Sequence, residues 1–167
     1  MDRRHPSRLL ARLGLRAAEA ALLSLDDIDW RAGVLRIAGK GGRVAQMPMP
    51  QDVGEALADY IRHGRPVTTS RTIFHRVETP CLPFTAATPV ILIARRALRR
   101  AGVHASVRGS SHVFRHSLAT HMIRSGASLN EIGQVLRHQE PDTARIYAKV
   151  DVAGLRSLSL AWPGGAQ

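Results

Sequence analysis

The sequence predicts a mainly helical domain with one small antiparallel sheet, an α+β chain. Three observations lead there. Apolar residues recur at helical spacing in several separate segments. Two short strand-like runs flank the glycine-rich turn Gly39-Lys40-Gly41-Gly42, the pattern of a hairpin. The 167 residues, 44% of them hydrophobic, suit a single domain large enough to bury a core. Aromatic residues make up only 4% of the chain, so aliphatic side chains and alanine must fill that core.

In chain order, Leu9 to Leu13 reads as the last turn of a helix, and a second helix runs from about Ala17 to Leu23. Asp26-Asp27 and Arg31-Ala32-Gly33 read as turns. Val34 to Ile37 and Arg43 to Met47 are the expected hairpin strands. Val53, Ala56, Leu57, Tyr60 and Ile61 then follow helical spacing between Pro50 and Arg62. The proline-bearing stretch from Gly64 to Pro83 reads as a long connection, with a brief strand at Ile73-Phe74. Thr88 to Arg100 is a helix with Val90, Ile91, Ala94, Ala97 and Leu98 on one side. Its Arg95, Arg96, Arg99 and Arg100 lie off that stripe, as a solvated face or a track for backbone phosphates.

Gly102 to Ser110 reads as a loop. Val113 to Arg124 is a helix stopped at Gly126, a residue type suited to the left-handed conformation past a helix end. Ser128 with Glu131 three residues on forms a capping box for the next helix, whose buried stripe is expected to be Leu129, Ile132, Val135 and Leu136. His138 falls just past its end. Pro141 can open a further helix carrying Tyr147, and Asp151 a last short one.

Composition narrows the function. Twenty-four basic against thirteen acidic residues give a net charge of +11, which favours a polyanionic partner, nucleic acid above all. A general basic interaction protein would share that charge. The single cysteine, Cys81, excludes an intramolecular disulfide and a cysteine-rich zinc site, and fits a reducing compartment. No signal peptide or membrane span is visible.

A dispersed set of residues carries the chemistry: Arg16 in Gly14-Leu15-Arg16, Lys40 in its glycine turn, His112 and Arg115 in His112-Val113-Phe114-Arg115-His116, His138, and Tyr147 nine residues later. A phosphodiester gains negative charge on its non-bridging oxygens as a nucleophile attacks, and fixed cationic donors must meet that charge. Arginine suits the task because its planar fork donates two parallel bonds and stays protonated. Glu19, three residues after Arg16, could orient it. His112 and Arg115 share a helix face by spacing. A tyrosine phenol is only about 0.1% ionised at pH 7, so forming the phenolate costs about 4 kcal/mol unless cations and a base assist. His112 is the better base candidate, and His138 the better hydrogen-bond donor to phosphate. Lys40 is the candidate acid for the leaving 5′-oxygen, and Arg43 a candidate contact to backbone phosphate. His112 and His116 are spaced like a helical zinc pair, but no intervening glutamate or third ligand accompanies them, so no metal is expected.

The order and local contexts of these fragments resemble the catalytic domain of the tyrosine recombinases, or phage-type integrases, from about Leu9 to Val150. Ala119-Thr120-His121 and Ile146-Tyr147 also match. The resemblance implies that family's catalytic-domain fold, with Arg16, Lys40, His112, Arg115, His138 and Tyr147 as the active site and Glu19 supporting it. It implies site-specific cleavage and rejoining of double-stranded DNA through a 3′-phosphotyrosine, without metal, ATP or another cofactor. It also implies a homo-tetramer on DNA when the chain is completed by an N-terminal domain, no membrane, and action at the nucleoid in the bacterial cytoplasm. Two departures stand out: Arg137 replaces the glycine common before the second histidine, and Ala144 one of a usual threonine pair. The expected organisation is a single catalytic domain over residues 1–167, N-terminally truncated and lacking the family's core-binding domain. A catalytically inactive DNA-binding remnant and a type IB topoisomerase are the alternative readings.

Overall fold

The structure, a computed structural model, describes residues 5–39, 42–104 and 109–137. Lys40, Gly41, His138 and Tyr147 lie outside the described residues, as do the helices expected after Pro141 and Asp151. The chain divides into two compact units, residues 1–118 and 119–167.

In the first unit, helix α1 (His5–Leu13) packs on α2 (Ala17–Ala21), α3 (Gln51–Asp59) and α4 (Thr88–Arg100). Helix α1 starts four residues before the expected Leu9. Pro6 lies in its first turn, where the missing proline N–H breaks no helical bond. Leu9, Leu10 and Leu13 are buried, while the exposed Arg12 reaches Asp52 on α3, with Nε and Oδ2 2.9 Å apart. Such an exposed pair contributes about 0–1 kcal/mol, so α1 is held chiefly by its leucines.

Three antiparallel strands follow in sheet order: β1 (Ile28–Asp29), β2 (Val34–Ala38) and β3 (Val44–Pro48). The hairpin strands match expectation within a residue, and β1 is an addition too short for periodicity to detect. Leu35 pairs with Met47 and Ile37 with Ala45, which sends Leu35, Ile37 and Met47 into the core. Arg36 and Gln46, paired between them, face outward, as the two-residue period of a strand requires.

After α3 the backbone widens into a π-helical turn, Tyr60–Gly64, where the sequence suggests a continuous α-helix. The long connection then threads through the core. Ile73 N donates to Leu23 O at 2.8 Å, and Phe84 N to Phe74 O at 2.9 Å. Ile73 and Phe74 are buried, and Tyr60 and Phe84 flank the Phe74 ring at 5.3 and 6.4 Å. Ile73-Phe74 is thus extended and paired, though by single bridges on either side rather than as a strand. Helix α4 has the expected bounds, with Val90, Ala94 and Leu98 buried and Arg96, Arg99 and Arg100 exposed.

Helix α5 (Ser110–Arg124) begins three residues before the expected Val113 and crosses the division between the units. In the second unit its end is sealed at Gly126 (φ 87°): Gly126 N donates to Ile123 O and Ala127 N to Met122 O, satisfying the last carbonyls. Helix α6 (Leu129–Leu136) has the expected capping box, with Ser128 N donating to Glu131 Oε2 at 2.7 Å and Glu131 N to Ser128 Oγ at 3.2 Å. Only Ile132 and Leu136 of its expected stripe are buried. Leu129 and Val135 are over a third exposed, so the buried face of this short helix is narrower than its apolar pattern.

Candidate active site

Gly14 ends α1 in the left-handed conformation (φ 58°), its N–H returning to Leu10 O at 3.1 Å. The chain then runs extended through Arg16, the residue that caps the start of α2. Glu19 holds that residue twice: Arg16 N donates to Oε2 and Arg16 Nη1 to Oε1, each at 2.8 Å. The carboxylate is nearly buried and the arginine side chain is 44% exposed. A largely buried anion therefore fixes a guanidinium at the surface of the first unit.

Arg115 comes from the other end of that unit. The buried stripe of α5 includes Ser111, Arg115 and Ala119, so an arginine occupies a position where an apolar residue would be expected. A charge taken from water must be bonded to persist. Arg115 is 6% exposed, and its Nη1 donates to Gly14 O at 2.5 Å. Two arginines 99 positions apart in sequence thus converge on the three-residue segment Gly14-Leu15-Arg16.

His112 lies one helical turn before Arg115 and is exposed. His116 follows directly. Burial pushes its imidazole below the ordinary value, and the neighbouring His112 and Arg115 push it the same way. Among the described residues no group of three histidine, cysteine or acidic side chains is placed to hold a metal. Arg43 is exposed at the end of the hairpin turn, which closes through Gly39 N to Arg43 O at 2.7 Å.

Tyr60 lacks the character of a nucleophile. Burial raises its phenol pKa, and its hydroxyl faces the His75 backbone N–H at 3.4 Å. A cleft of about 540 Å³ beside Tyr60, Phe74 and Phe84 is lined by none of the candidate site residues. No local sequence pattern connects Gly14 with Arg115, so the role of the Gly14 carbonyl is visible only in the fold.

Comparison with known proteins gives a consistent result. A model of the phage integrase family matches residues 3–153. A Sinorhizobium fredii protein named as an integrase/recombinase, y4rA, is 51% identical over 158 residues, covering 95% of this chain and 38% of that protein. Tyrosine recombinase XerD of Mycobacterium tuberculosis is 35% identical over 161 residues, covering 93% of this chain and 49% of XerD. The crystal structure of XerA recombinase is similar in fold, with a TM-score of 0.76 at 25% identity, covering 95% of this chain and 57% of XerA. The chain therefore spans between about two fifths and three fifths of the length of these proteins.

Proposed function

The chain belongs to the phage integrase family, and from that premise we propose that it cleaves and rejoins double-stranded DNA through a covalent 3′-phosphotyrosyl intermediate. The observation that carries the reading is the convergence of Arg16 and Arg115 on one short segment, each held by a partner of its own. Two preorganised guanidinium groups suit the charge that develops on a phosphoryl group under attack.

In the proposed reaction the Tyr147 hydroxyl attacks phosphorus and the bond to the 5′-oxygen breaks. His112 accepts the phenolic proton. Lys40 gives a proton to the departing 5′-oxygen, so a free 5′-hydroxyl results. Arg16 and Arg115 hold the non-bridging oxygens, with His138 donating a further hydrogen bond. Attack of a 5′-hydroxyl on the phosphotyrosine reverses these steps and rejoins a strand. Arg43 and Lys40, on the hairpin, grip backbone phosphate. The half-buried Tyr60, whose hydroxyl faces the His75 backbone, supports reading Tyr147 as the nucleophile in a chain with two tyrosines.

Residues 1–167 act, in this reading, as the catalytic domain, and strand exchange between two duplexes involves four protomers. Action at the nucleoid in the bacterial cytoplasm follows from the substrate. Among the described residues no helix is long and apolar enough to cross a membrane.

The test is a pool of nicked DNA duplexes randomised around the nick, incubated with the protein and denatured in detergent. Wild-type protein should form a covalent adduct, and Tyr147→Phe should bind the pool equally and form none. Adducts that persist in Tyr147→Phe, mapped to another residue, would refute the assignment. Relaxation of a supercoiled plasmid by wild-type protein, without strand exchange, would favour the topoisomerase alternative.

A further inference from the structure

We propose that Gly14 is a positioning residue for Arg115, acting through its carbonyl oxygen. The proposal rests on the strand-cleavage reading above and adds to it a link between residues 101 positions apart. Three observations meet at Gly14. Its φ of 58° lies in the left-handed region, which glycine enters without the clash a Cβ would cause. Its carbonyl receives Arg115 Nη1 at 2.5 Å, within the buried part of the first unit. The next residue, Leu15, is 1% exposed, and the one after it is tied to Glu19, so the segment is anchored immediately beyond the carbonyl.

The consequence is directional. The Gly14 dihedral angles set where its carbonyl points, and the carbonyl sets where the Arg115 guanidinium sits. Arg16 is held separately, by Glu19. A side chain at position 14 that drives φ to negative values would rotate the peptide and shift the Arg115 guanidinium while leaving the Arg16–Glu19 pair in place. A displacement of about 1 Å at a group that must meet a developing charge costs on the order of 10²-fold in rate.

The experiment uses the full chain and a nicked duplex carrying a cleavage sequence recovered from the wild-type adducts. The duplex is made in two forms. One has an ordinary scissile phosphodiester. In the other, a methylphosphonate, a methyl group replaces one non-bridging oxygen and removes the negative charge. Gly14→Ala should slow adduct formation about 10²-fold on the phosphodiester and much less on the methylphosphonate, whose phosphorane carries one negative charge instead of two and so depends less on Arg115. Gly14→Asn should be slowed less than Gly14→Ala on the phosphodiester, since asparagine tolerates the left-handed region better than alanine. Equal slowing of Gly14→Ala on both substrates would reveal a structural role and overturn the proposal alone. Absence of any wild-type adduct would overturn the strand-cleavage reading and this proposal with it. Should Gly14→Ala fail to fold, wild-type protein labelled with 15N-arginine and 13C-carbonyl glycine carries the test by NMR. An Arg115 guanidinium in slow exchange and bonded to the Gly14 carbonyl is expected, and a freely rotating one overturns the proposal.

Discussion

Replacing Glu19 by glutamine should separate the placement of Arg16 from its charge. The two carboxylate oxygens of Glu19 divide the work, Oε2 accepting from Arg16 N and Oε1 from Arg16 Nη1, both at 2.8 Å. A glutamine amide offers one oxygen and one NH2 in the same space. It can satisfy either donor but must set its own N–H groups against the other. The backbone bond to a charged acceptor contributes about 1.5 kcal/mol. The bond to the guanidinium, whose side chain is 44% exposed, contributes at most about 0.5 kcal/mol after solvent screening. Glutamine keeps one of the two bonds, without its charge assistance, so the expected loss is about 1 kcal/mol, or about 2–4 °C in melting temperature for a chain of this size. Misplacement of Arg16 should also slow covalent adduct formation by about 10²-fold, with DNA binding nearly unchanged because the positive charge stays. Thermal melting, binding to labelled duplex and detergent-stable adduct yield measure the three quantities separately. A Glu19→Gln protein that melts and cleaves like wild type would refute the view that this carboxylate positions Arg16.

Lys40→Ala should be slow on ordinary DNA and regain most of its rate when sulfur replaces the bridging 5′-oxygen, because a thiolate leaves without a proton; no rescue would limit Lys40 to holding DNA. Adduct formation should survive EDTA, since the proposed cations are all side chains, and loss on chelation with recovery in a divalent ion would indicate a metal nuclease. Arg137 ends α6 in the left-handed conformation, φ 54° and ψ 47°. An L-residue pays roughly 1–2 kcal/mol there, partly offset by the greater unfolded-state entropy of glycine, so Arg137→Gly should raise stability by about 0.5–1 kcal/mol; a lower melting temperature would show that the arginine side chain outweighs its backbone strain. Burial lowers the pKa of His75 below its ordinary value. The unfolded chain then binds that proton more readily, so stability should decline as pH falls through about 6.5, and the decline should be shallower in His75→Phe, as urea titrations at pH 7.5 and 5.5 would measure.

The elements legible in the sequence were those whose signal is local. Helix α4 shows a clean apolar stripe and an N-terminal proline, and α6 is announced by Ser128 and Glu131 before it begins. The hairpin strands declare themselves through alternation around a glycine turn. Departures arose where tertiary contacts override local pattern. Strand β1 exists because Ile28 and Asp29 pair with Leu35 and Val34, and two residues carry no period to read. Ile73-Phe74 is buried in a proline-bearing connection because Leu23 offers it a backbone partner. Pro6 hid the first turn of α1, since proline suits a helix start as well as a loop.

The site divides on the same line. Arg16 and Glu19 are three residues apart, and their ion pair was readable from spacing. The bond from Arg115 to Gly14 was not, because nothing in either local sequence names the other. A signal was nevertheless present in α5. Helices that pack by hydrophobic burial show an apolar stripe; α5 shows none, and its buried positions include Ser111 and Arg115. Burying a guanidinium has a desolvation cost of several kcal/mol unless bonds replace its water. A helix that fails the amphipathic test, in a chain whose other long helices pass it, therefore marks a face given over to charge. That pattern needs no knowledge of the partner, and it sets Arg115, which its spacing from His112 already singles out, further apart from the arginines that lie on solvated faces.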